Sequence, residues 1–319
     1  MSNDTRQPAI AVEGLQKKYG DNVVLDGVDL KVQPGSVYAL LGPNGSGKTT
    51  IVNILTTLIR ADGGSARVAG FDVASDPARV REQISVTGQF AAVDYVLTAR
   101  ENLVLMGELR HIADPAGTAA ELLDRFDLND AADRRLLTFS GGMRRRLDIA
   151  MSLVGDAAVV FFDEPTTGLD PKGRVDMWST IEGLAGGGTT VFLTTQYLEE
   201  ADRLADEIAI LHGGRIVAHG PPDRLKTKLP AGIVELEFAE QEQLAAVQIA
   251  LDGHHNVSRM DSKLVVATTG SVAEMADMFV RLRDTGIEPS RLTKQTPTLD
   301  DVFFKILEEE MEGSHASSE

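Results

Sequence analysis

The stretch that decides the fold is VYALLGPNGSGKTTIVNILTTLI, residues 37–59. It starts with apolar and aromatic residues, passes through a turn rich in glycine, and continues with apolar residues at helical spacing. Residues 42–49 fit the pattern Gly-x-x-x-x-Gly-Lys-Ser/Thr between a strand and a helix. A strand that enters a helix through such a turn predicts an α/β fold with a mixed sheet at its core.

The turn has the composition of a phosphate-binding loop. Its glycines let backbone N–H groups turn inward where Cβ atoms would obstruct them, and the following helix offers free N–H groups at its positive end. Lys48 can reach the β- and γ-phosphates of a nucleotide, and Thr49 can ligate Mg²⁺. A glycine-rich turn that matches by chance is the alternative. The candidate nucleotide-binding residues here are Gly42, Pro43, Asn44, Gly45, Ser46, Gly47, Lys48, Thr49 and Thr50.

A second apolar run, AAVVFFDEP at residues 157–165, ends in two acids. A carboxylate that follows such a run lies at the carboxyl end of a buried strand, where α/β proteins bind their ligands. We expect Asp163 to hold Mg²⁺ and Glu164 to orient or deprotonate the attacking water. A solvated acid at a strand end is the alternative, which the phosphate loop makes the weaker interpretation.

Composition narrows the classes of protein that this chain of 319 residues can belong to. Its 31 basic and 48 acidic residues give a formal net charge of −17, which disfavours nucleic acid as a partner. The absence of Cys excludes disulfides, thiolate zinc sites and Cys nucleophiles. No apolar run approaches the ~18 residues of a membrane span, and the first residues lack the pattern of a secretory signal. We therefore expect a soluble, cytoplasmic chain.

The pattern of apolar residues divides the chain into two domains. Buried strands are predicted at residues 36–41, 158–162, 190–194 and 207–211. The expected organisation is a disordered start at 1–7, a nucleotide-binding domain at 8–228 with a helical subdomain at about 92–156, a smaller α+β domain at 229–311 and a disordered tail at 312–319. The predicted order βαββαβ in the smaller domain is typical of a ferredoxin-like sandwich.

The segment FSGGM at residues 139–143 resembles the signature motif of ATP-binding-cassette (ABC) ATPases, which is normally LSGGQ. Phe139 and Met143 replace its first and last letters. Ser140, Gly141 and Gly142 open a predicted helix, so these small residues offer a second phosphate-binding surface at a positive helix end. An ordinary Ser cap followed by two glycines is the alternative. The position of the segment, about twenty residues before the acidic strand, favours the signature.

Three further positions match the motifs of these ATPases. The resemblance implies that Tyr19 in KKYG stacks on adenine, that Gln89 in VTGQF meets Mg²⁺ or water, and that Asp170 belongs to the D-loop. Outside this context, Tyr19 reads equally well as a surface aromatic and Gln89 as a loop amide. The metal candidates are thus Thr49, Gln89 and Asp163.

The switch position, which is usually His in these ATPases, is Gln196 in LTTQYLEEAD. Gln can hydrogen-bond a γ-phosphate but cannot carry charge or relay a proton. Glu164 therefore remains the main candidate base, and the catalytic candidates are Glu164, Gln196 and Lys48. The alternative for Gln196 is that it merely caps the helix that follows. Arg144, Arg145 and Arg146 are expected to form a solvated or salt-bridged face rather than a binding patch.

The segments TTQYLEEAD, VTGQFAAVD, SGGMRRR and TPTLDDVFFKI together resemble the daunorubicin/doxorubicin-resistance type of exporter ATPase. This resemblance implies an ATP- and Mg²⁺-dependent ATPase that drives efflux of a drug, antibiotic or lipid-like substrate through a separately encoded membrane permease. It also implies a homodimer in which the signature of one subunit completes the nucleotide site of the other, located at the cytoplasmic face of the membrane. The alternatives are a soluble non-transport ABC ATPase and a regulatory nucleotide-binding module.

Overall fold

The computed structural model describes residues 7–87, 93–155, 157–226, 232–238, 241–260, 263–268, 271–295 and 298–303. The chain divides into two compact units, Met1–His219 and Gly220–Glu319. The sequence places the domain boundary a few residues later, at residue 229, which lies outside the described residues. The segments expected to be disordered, 1–7 and 312–319, also lie outside them, apart from Gln7.

The first unit alternates strands and helices. Its strands are β1 (Ile10–Tyr19), β2 (Asn22–Val32), β3 (Val37–Leu41), β4 (Gly63–Val68), β5 (Phe71–Asp72), β6 (Ile84–Thr87), β7 (Val159–Asp163), β8 (Thr190–Thr195), β9 (Glu207–His212) and β10 (Arg215–Gly220), which ends at the division. Its helices are α1 (Lys48–Leu55), α2 (Pro77–Gln83), α3 (Ala99–Leu109), α4 (Pro115–Arg125), α5 (Gly141–Ser152), α6 (Pro171–Gly186) and α7 (Leu198–Leu204).

A six-stranded sheet with the order β10-β9-β3-β8-β7-β6 forms the centre of this unit. Strand β3 pairs in parallel with β8 and β9, and β7 pairs in parallel with β8 and β6. Every residue of β3, β7 and β8 is buried, as their uninterrupted apolar character predicts. The four predicted buried strands are confirmed to within one residue at each end. Because parallel neighbours end at the same edge, the segments after β3, β7 and β8 emerge side by side.

A second, antiparallel sheet with the order β2-β1-β4-β5 packs against the first. Its strands alternate buried and exposed residues, because only one face contributes to the core. Ile10, Val12, Leu25 and Val28 are fully or almost fully buried in a core that also holds Ile51 of α1. Uninterrupted apolar runs do not predict this sheet, because its strands alternate apolar and polar residues.

The regular structure of residues 93–155 is helical, with no strand among these described residues. Helices α3, α4 and α5 pack on one another, and two short 3-10 turns, Asn129–Ala131 and Leu136–Thr138, connect α4 to α5. A capping box fixes the start of α3: Thr98 Oγ1 accepts a hydrogen bond from Glu101 N at 3.2 Å, and Thr98 N donates to Glu101 Oε2 at 2.7 Å.

The second unit has the predicted order βαββαβ. After α8 (Pro222–Lys226) come β11 (Ile233–Glu237), α9 (Gln241–Leu251), β12 (Asn256–Met260), β13 (Lys263–Ala267), α10 (Val272–Thr285) and β14 (Arg291–Gln295). All pairings in the sheet β12-β13-β11-β14 are antiparallel, which is the ferredoxin-like arrangement. The core contains Val234, Leu236, Leu244 and Leu282. Of the helix predicted after Thr298, residues 299–303 are described and helical. In the described ranges of both units, no helix is both long and apolar enough to cross a bilayer.

Candidate nucleotide site

The phosphate loop, residues 42–47, joins β3 to α1, and packing requires two of its glycines, Gly42 and Gly47. A Cβ on Gly42 would lie 2.5 Å from the carbonyl oxygen of Leu211. Gly47 has φ +109°, and a Cβ there would lie 2.8 Å from Leu25 Cδ2. The loop is therefore pressed between β9 and β2, and its backbone follows a path that only glycine adopts without strain.

Lys48, the first residue of α1, is held inside the loop. Its side chain is only 4% exposed, and its Nζ donates to the carbonyl oxygens of Gly42 at 2.8 Å and Pro43 at 3.0 Å. It also forms an ion pair with Glu164 Oε1 at 3.4 Å. A buried ammonium group needs such partners, because desolvation without them is costly. Its charge therefore lies where the phosphate chain of a nucleotide is expected.

The loop fits a ligand that brings acceptor oxygens. No side chain caps the first turn of α1, so its free N–H groups remain available for an anion. Ser46 is buried, and its Oγ has no hydrogen-bond partner among the described residues. An unpaired buried hydroxyl costs about 1–3 kcal/mol, which a phosphate oxygen could offset. A triphosphate supplies the acceptors that these groups lack.

Asp163 ends β7 beside the loop, and both of its carboxylate oxygens have partners. Thr49 Oγ1 of α1 donates to Asp163 Oδ2 at 3.1 Å, and Thr194 Oγ1 of β8 donates to Asp163 Oδ1 at 2.5 Å. The carboxylate is almost completely buried. A hydroxyl and a carboxylate oxygen on adjacent elements form a donor set that suits Mg²⁺. Thr49 and Asp163 therefore fit a magnesium ion.

Glu164 follows directly and has an unusual backbone conformation. Its φ is +49°, in the left-handed region that non-glycine residues rarely occupy. The backbone is held there because Glu164 N donates to the carbonyl oxygen of Thr194 at 3.1 Å and to Thr194 Oγ1 at 3.2 Å. Its carboxylate meets Lys48, and Thr167 Oγ1 donates to Glu164 Oε2 at 3.3 Å. The structure thus brings Lys48, Thr49, Asp163 and Glu164 into one connected group.

Gln196 follows β8 at the same edge of the sheet. Helix α7 begins at Leu198, its N-cap residue is Tyr197, and Tyr197 N donates to Thr195 Oγ1 at 3.0 Å. Gln196 therefore does not occupy the cap position of this helix, contrary to the alternative weighed for it. Its side chain is partly buried.

Tyr19 lies at the end of β1, paired with Asn22 in the hairpin that β1 and β2 form. The hairpin reaches the phosphate loop, since Leu25 of β2 would contact a Cβ on Gly47. The side chain of Tyr19 is 52% exposed, and Lys17 Nζ lies 5.5 Å from its ring centroid. A half-exposed ring at this hairpin has a free surface on which a flat ligand can stack.

The Ser-Gly-Gly centre of the signature segment, residues 140–142, is exposed. Ser140 caps α5, because its Oγ accepts a hydrogen bond from Met143 N at 3.3 Å. Gly141 and Gly142 differ from Gly42 and Gly47: beyond the backbone of its own helix, a Cβ on either one would meet no atom of the described chain within 4 Å. The cap geometry of the alternative interpretation is therefore present. A helix cap does not explain why residues 141 and 142 are both glycine, because packing within the described chain requires neither of them.

Ser140, Gly141 and Gly142 line a cavity of about 440 Å³ together with Asp170. Asp170 caps α6, since its Oδ1 accepts a hydrogen bond from Gly173 N at 2.8 Å. The lining of this cavity does not include the described residues of the phosphate loop. The candidate site residues therefore fall into two sets: one around Lys48 and Asp163, the other around Ser140 and Asp170.

Two predicted features need separate comment. Gln89 lies outside the described residues, which break off between 87 and 93. The three consecutive arginines contact three different partners. Arg144 lies 5.5 Å from the ring centroid of Tyr95, Arg145 pairs with Asp148 at 3.1 Å, and Arg146 pairs with Asp127 at 3.4 Å. Arg145 and Arg146 thus form the expected salt bridges, whereas the contact of Arg144 is with an aromatic ring.

The structure also reveals a buried acid that the sequence analysis missed. Glu200 of α7 is fully buried, and its Oε1 accepts a hydrogen bond from Trp178 Nε1 of α6 at 3.2 Å. Burial raises the pKa of Glu200, and the hydrogen bond from Trp178 and, less strongly, the positive charge of Arg174 oppose this increase. A signal was available, because Glu200 shares a helical face with the buried residue Leu204.

Comparisons with known proteins show which family the chain belongs to. Residues 25–167 match the family model for the ABC transporter. A daunorubicin resistance ATP-binding protein of Streptomyces coeruleorubidus is 45% identical over 97% of this chain and 98% of its own length. A Nod factor export ATP-binding protein of Ralstonia nicotianae is 35% identical over 95% of each chain. A solved ATP-binding subunit of an ABC transporter matches with a TM-score of 0.62 and 27% identity, over 69% of this chain and 92% of that chain. The chain therefore belongs to the ATP-binding subunits of the ABC transporter family.

Proposed function

We propose that this chain is the Mg²⁺-dependent ATPase subunit of an exporter that moves a drug, an antibiotic or a lipid-like substrate through a separate membrane permease. The observation that carries the proposal is the connected group of Lys48, Thr49, Asp163 and Glu164 at the carboxyl edge of the central sheet. The names of the two relatives, one a drug resistance protein and the other an export protein, support the direction and the class of substrate.

ATP binds with its phosphates in the loop and its adenine against Tyr19. The backbone N–H groups of residues 42–47 and the start of α1 donate to the phosphate oxygens. Lys48 exchanges its bonds to the carbonyl oxygens of Gly42 and Pro43 for bonds to the β- and γ-phosphates. Ser46 Oγ gains the acceptor that it lacks. This exchange places the phosphate chain next to Glu164.

Thr49 and Asp163 would hold Mg²⁺, and Gln89 is the third candidate for this role. When bound, the ion would supply positive charge that stabilises the phosphate oxygens. Thr49 and Asp163 already lie within hydrogen-bond distance of each other, at 3.1 Å between Thr49 Oγ1 and Asp163 Oδ2. These two residues therefore require little rearrangement to share a ligand.

Glu164 directs the attacking water. Water attacks the γ-phosphorus, the bond to the β–γ bridging oxygen breaks, and ADP leaves with that bond's electron pair while Glu164 accepts the proton from water. Gln196 donates a hydrogen bond to the γ-phosphate and takes no part in proton transfer. The burial of Glu164 and its contact with Lys48 support this assignment.

The second set of residues acts on a second copy of the chain. Ser140, Gly141 and Gly142 present free helix N–H groups that bind the γ-phosphate of ATP held by the partner of a homodimer, and Asp170 lies at the same surface. Two ATP molecules are enclosed in this way, and hydrolysis reopens the dimer. The permease responds to this cycle at the cytoplasmic face of the membrane, without any nucleic acid partner.

Steady-state phosphate release from the purified full-length chain tests the proposed reaction. Wild type should hydrolyse ATP with Mg²⁺ and stop when EDTA is added, and Lys48→Ala should be inactive. Hydrolysis that persists in EDTA, or that survives in Lys48→Ala, would contradict the proposal.

The proposed transport is tested with inverted membrane vesicles that contain the chain and its permease, in which ATP should drive daunorubicin uptake. Uptake that is equal with and without ATP would contradict the exporter assignment.

A further inference from the structure

We propose that Thr194 is a positioning residue for the proposed ATPase reaction: its hydroxyl orients Asp163 for Mg²⁺ and ties Asp163 to Glu164. This inference rests on the proposed function, since it concerns how the same site is held together. Thr194 lies within the buried strand β8, and neither a motif nor a resemblance assigns it a role.

The strand register brings Thr194 to the acids. Parallel pairing of β7 with β8 sets Asp163 opposite Thr194. Thr194 Oγ1 donates to Asp163 Oδ1 at 2.5 Å, the shorter of the contacts that fix this carboxylate. Because Thr194 is fully buried, water does not compete for the bond. Thr194 therefore holds one carboxylate oxygen, and Asp163 Oδ2 is left for Thr49 and the metal ion.

The same hydroxyl also contacts the backbone of Glu164. Glu164 N donates to Thr194 Oγ1 at 3.2 Å and to the carbonyl oxygen of Thr194 at 3.1 Å. A hydroxyl has one donor and two acceptor sites, so it can donate to Asp163 and accept from Glu164 at once. This double role requires Thr or Ser, and a Val of the same shape cannot perform either part.

The energetic argument concerns the unusual backbone of Glu164. A non-glycine residue with φ +49° persists only where its surroundings hold it. Thr194 supplies both acceptors for Glu164 N, one from its backbone and one from its side chain. Loss of the hydroxyl removes one of the two acceptors and releases the Asp163 carboxylate. Both acids would then be less well positioned, although neither has been altered.

The strand contains a matched control. Thr190 lies in the same strand and is also buried, and its Oγ1 accepts a hydrogen bond from Gly35 N at 3.0 Å. Because it lies at the start of β8, its bond serves the loop before β3 and not the two acids. Thr190→Val and Thr194→Val therefore remove equivalent groups from one strand. A general effect of losing a buried hydroxyl should appear in both variants.

The test compares wild type, Thr194→Val, Thr194→Ser and Thr190→Val as purified full-length chains. Mn²⁺ binding is measured by electron paramagnetic resonance with a non-hydrolysable ATP analogue, alongside kcat, the KM for ATP and the melting temperature. We expect Thr194→Val to weaken Mn²⁺ binding by about 10–100-fold, the usual effect of removing a group that orients a metal ligand. Thr194→Ser should remain within about threefold of wild type, and Thr190→Val should change the melting temperature without changing Mn²⁺ affinity.

The outcomes separate the inference from the function on which it rests. If wild type neither binds the analogue nor hydrolyses ATP, the proposed function is wrong. If wild type is active and Thr194→Val binds Mn²⁺ as well as Thr190→Val does, the role of Thr194 is wrong. If Thr194→Val does not fold, Thr194→Ala takes its place, because it removes the hydroxyl without placing a methyl group against the carboxylate. Wild-type Mn²⁺ affinity in that variant would equally overturn the inference.

Discussion

The glycines of the phosphate loop and those of the signature segment differ in their surroundings. A Cβ on Gly42 or Gly47 would collide with atoms of the same chain, at 2.5 and 2.8 Å. A Cβ on Gly141 or Gly142 would meet none of the described atoms within 4 Å. The packing of this chain explains Gly42 and Gly47, and the left-handed backbone at φ +81° explains Gly45. Packing within this chain does not explain the signature glycines, so their small size matters only where another molecule contacts them.

The polar residues around these two segments differ in the same way. Lys48, Asp163 and Glu164 are largely buried and bonded to one another or to Thr194. Ser140 is exposed, and its side chain bonds only to the start of its own helix in the described part of the chain. The set around Lys48 is therefore preorganised within one subunit, and the set around Ser140 is the one that we propose to act on a second subunit. The following experiments test this difference.

Glu164→Gln should show the largest effect, because it alters the preorganised set around Lys48. Turnover should fall by about 10²–10⁴-fold, the usual contribution of a positioned base, while ATP still binds. ATP-bound dimers should accumulate, since closure no longer leads to hydrolysis. Phosphate release and light scattering with ATP and Mg²⁺ measure the two effects. Turnover at the wild-type rate would remove Glu164 from its proposed role.

Ser140→Arg tests the proposed contact of the signature segment with ATP on a second subunit. It should reduce hydrolysis by about a hundredfold, comparable to the loss of one donor that stabilises transition-state charge. Binding of ATP to the monomer should remain nearly unchanged, because the proposed contact is made across the dimer. A nucleotide titration at low protein concentration provides the measurement. Strongly weakened monomer affinity would show that Ser140 belongs to the site of its own subunit.

Gly42→Ala and Gly142→Ala compare the two kinds of glycine directly. Gly42→Ala should lower the free energy of unfolding by about 1–3 kcal/mol, since its methyl group would overlap Leu211. Gly142→Ala should leave it unchanged or raise it by up to about 1 kcal/mol, because Ala favours the helix and meets no atom. Urea denaturation of both variants gives the two values. Equal destabilisation by both would remove the distinction between the segments.

Glu200→Gln tests an acid that is buried but that we do not place in the proposed site, and its effect should be the smallest. Burial raises the pKa of Glu200 above its ordinary value of 4.5, so the folded chain retains a proton that the unfolded chain releases. The stability of wild type therefore falls as the pH rises from 4.5 through the raised pKa. Gln carries no charge, so the stability of the variant lacks this dependence on pH. The melting temperature of the variant minus that of wild type should therefore increase from about pH 5 to pH 8, by about 2–4 °C for each kcal/mol of unfolding free energy that wild type loses. A difference independent of pH would contradict this prediction.

The sequence predicted the parts of the site that local rules determine. The glycines of residues 42–47, the apolar run before Asp163 and the start of α5 at Gly141 each follow from neighbouring residues. Thr194 could not be found in this way. In the run TVFLTT it reads as one more β-branched residue of a buried strand, and only the pairing of β7 with β8 reveals the acid opposite it.

Glu200 and the antiparallel sheet were missed for different reasons. Glu200 follows another acid, and consecutive charges on a helix usually indicate a solvated face. The spacing of Glu200 from Leu204 was the available signal, and the packing of α7 against α6 through Trp178 shows that Glu200 is the buried acid. The sheet formed by β1, β2, β4 and β5 exposes one face, so half of its residues resemble loop. Long-range pairing supplies what the local pattern does not.

The backbone conformation of Glu164 lowers stability at a position that the proposed reaction uses. A residue other than glycine at φ +49° costs about 1–3 kcal/mol, and glycine at this position would relieve most of that strain. Glu164→Gly would, however, also remove the carboxylate that pairs with the buried Nζ of Lys48 at 3.4 Å. Laboratory evolution of a more heat-resistant form of this protein should therefore screen for ATP turnover whenever residue 164 changes, because relief of the strain there removes the carboxylate that the proposed reaction uses.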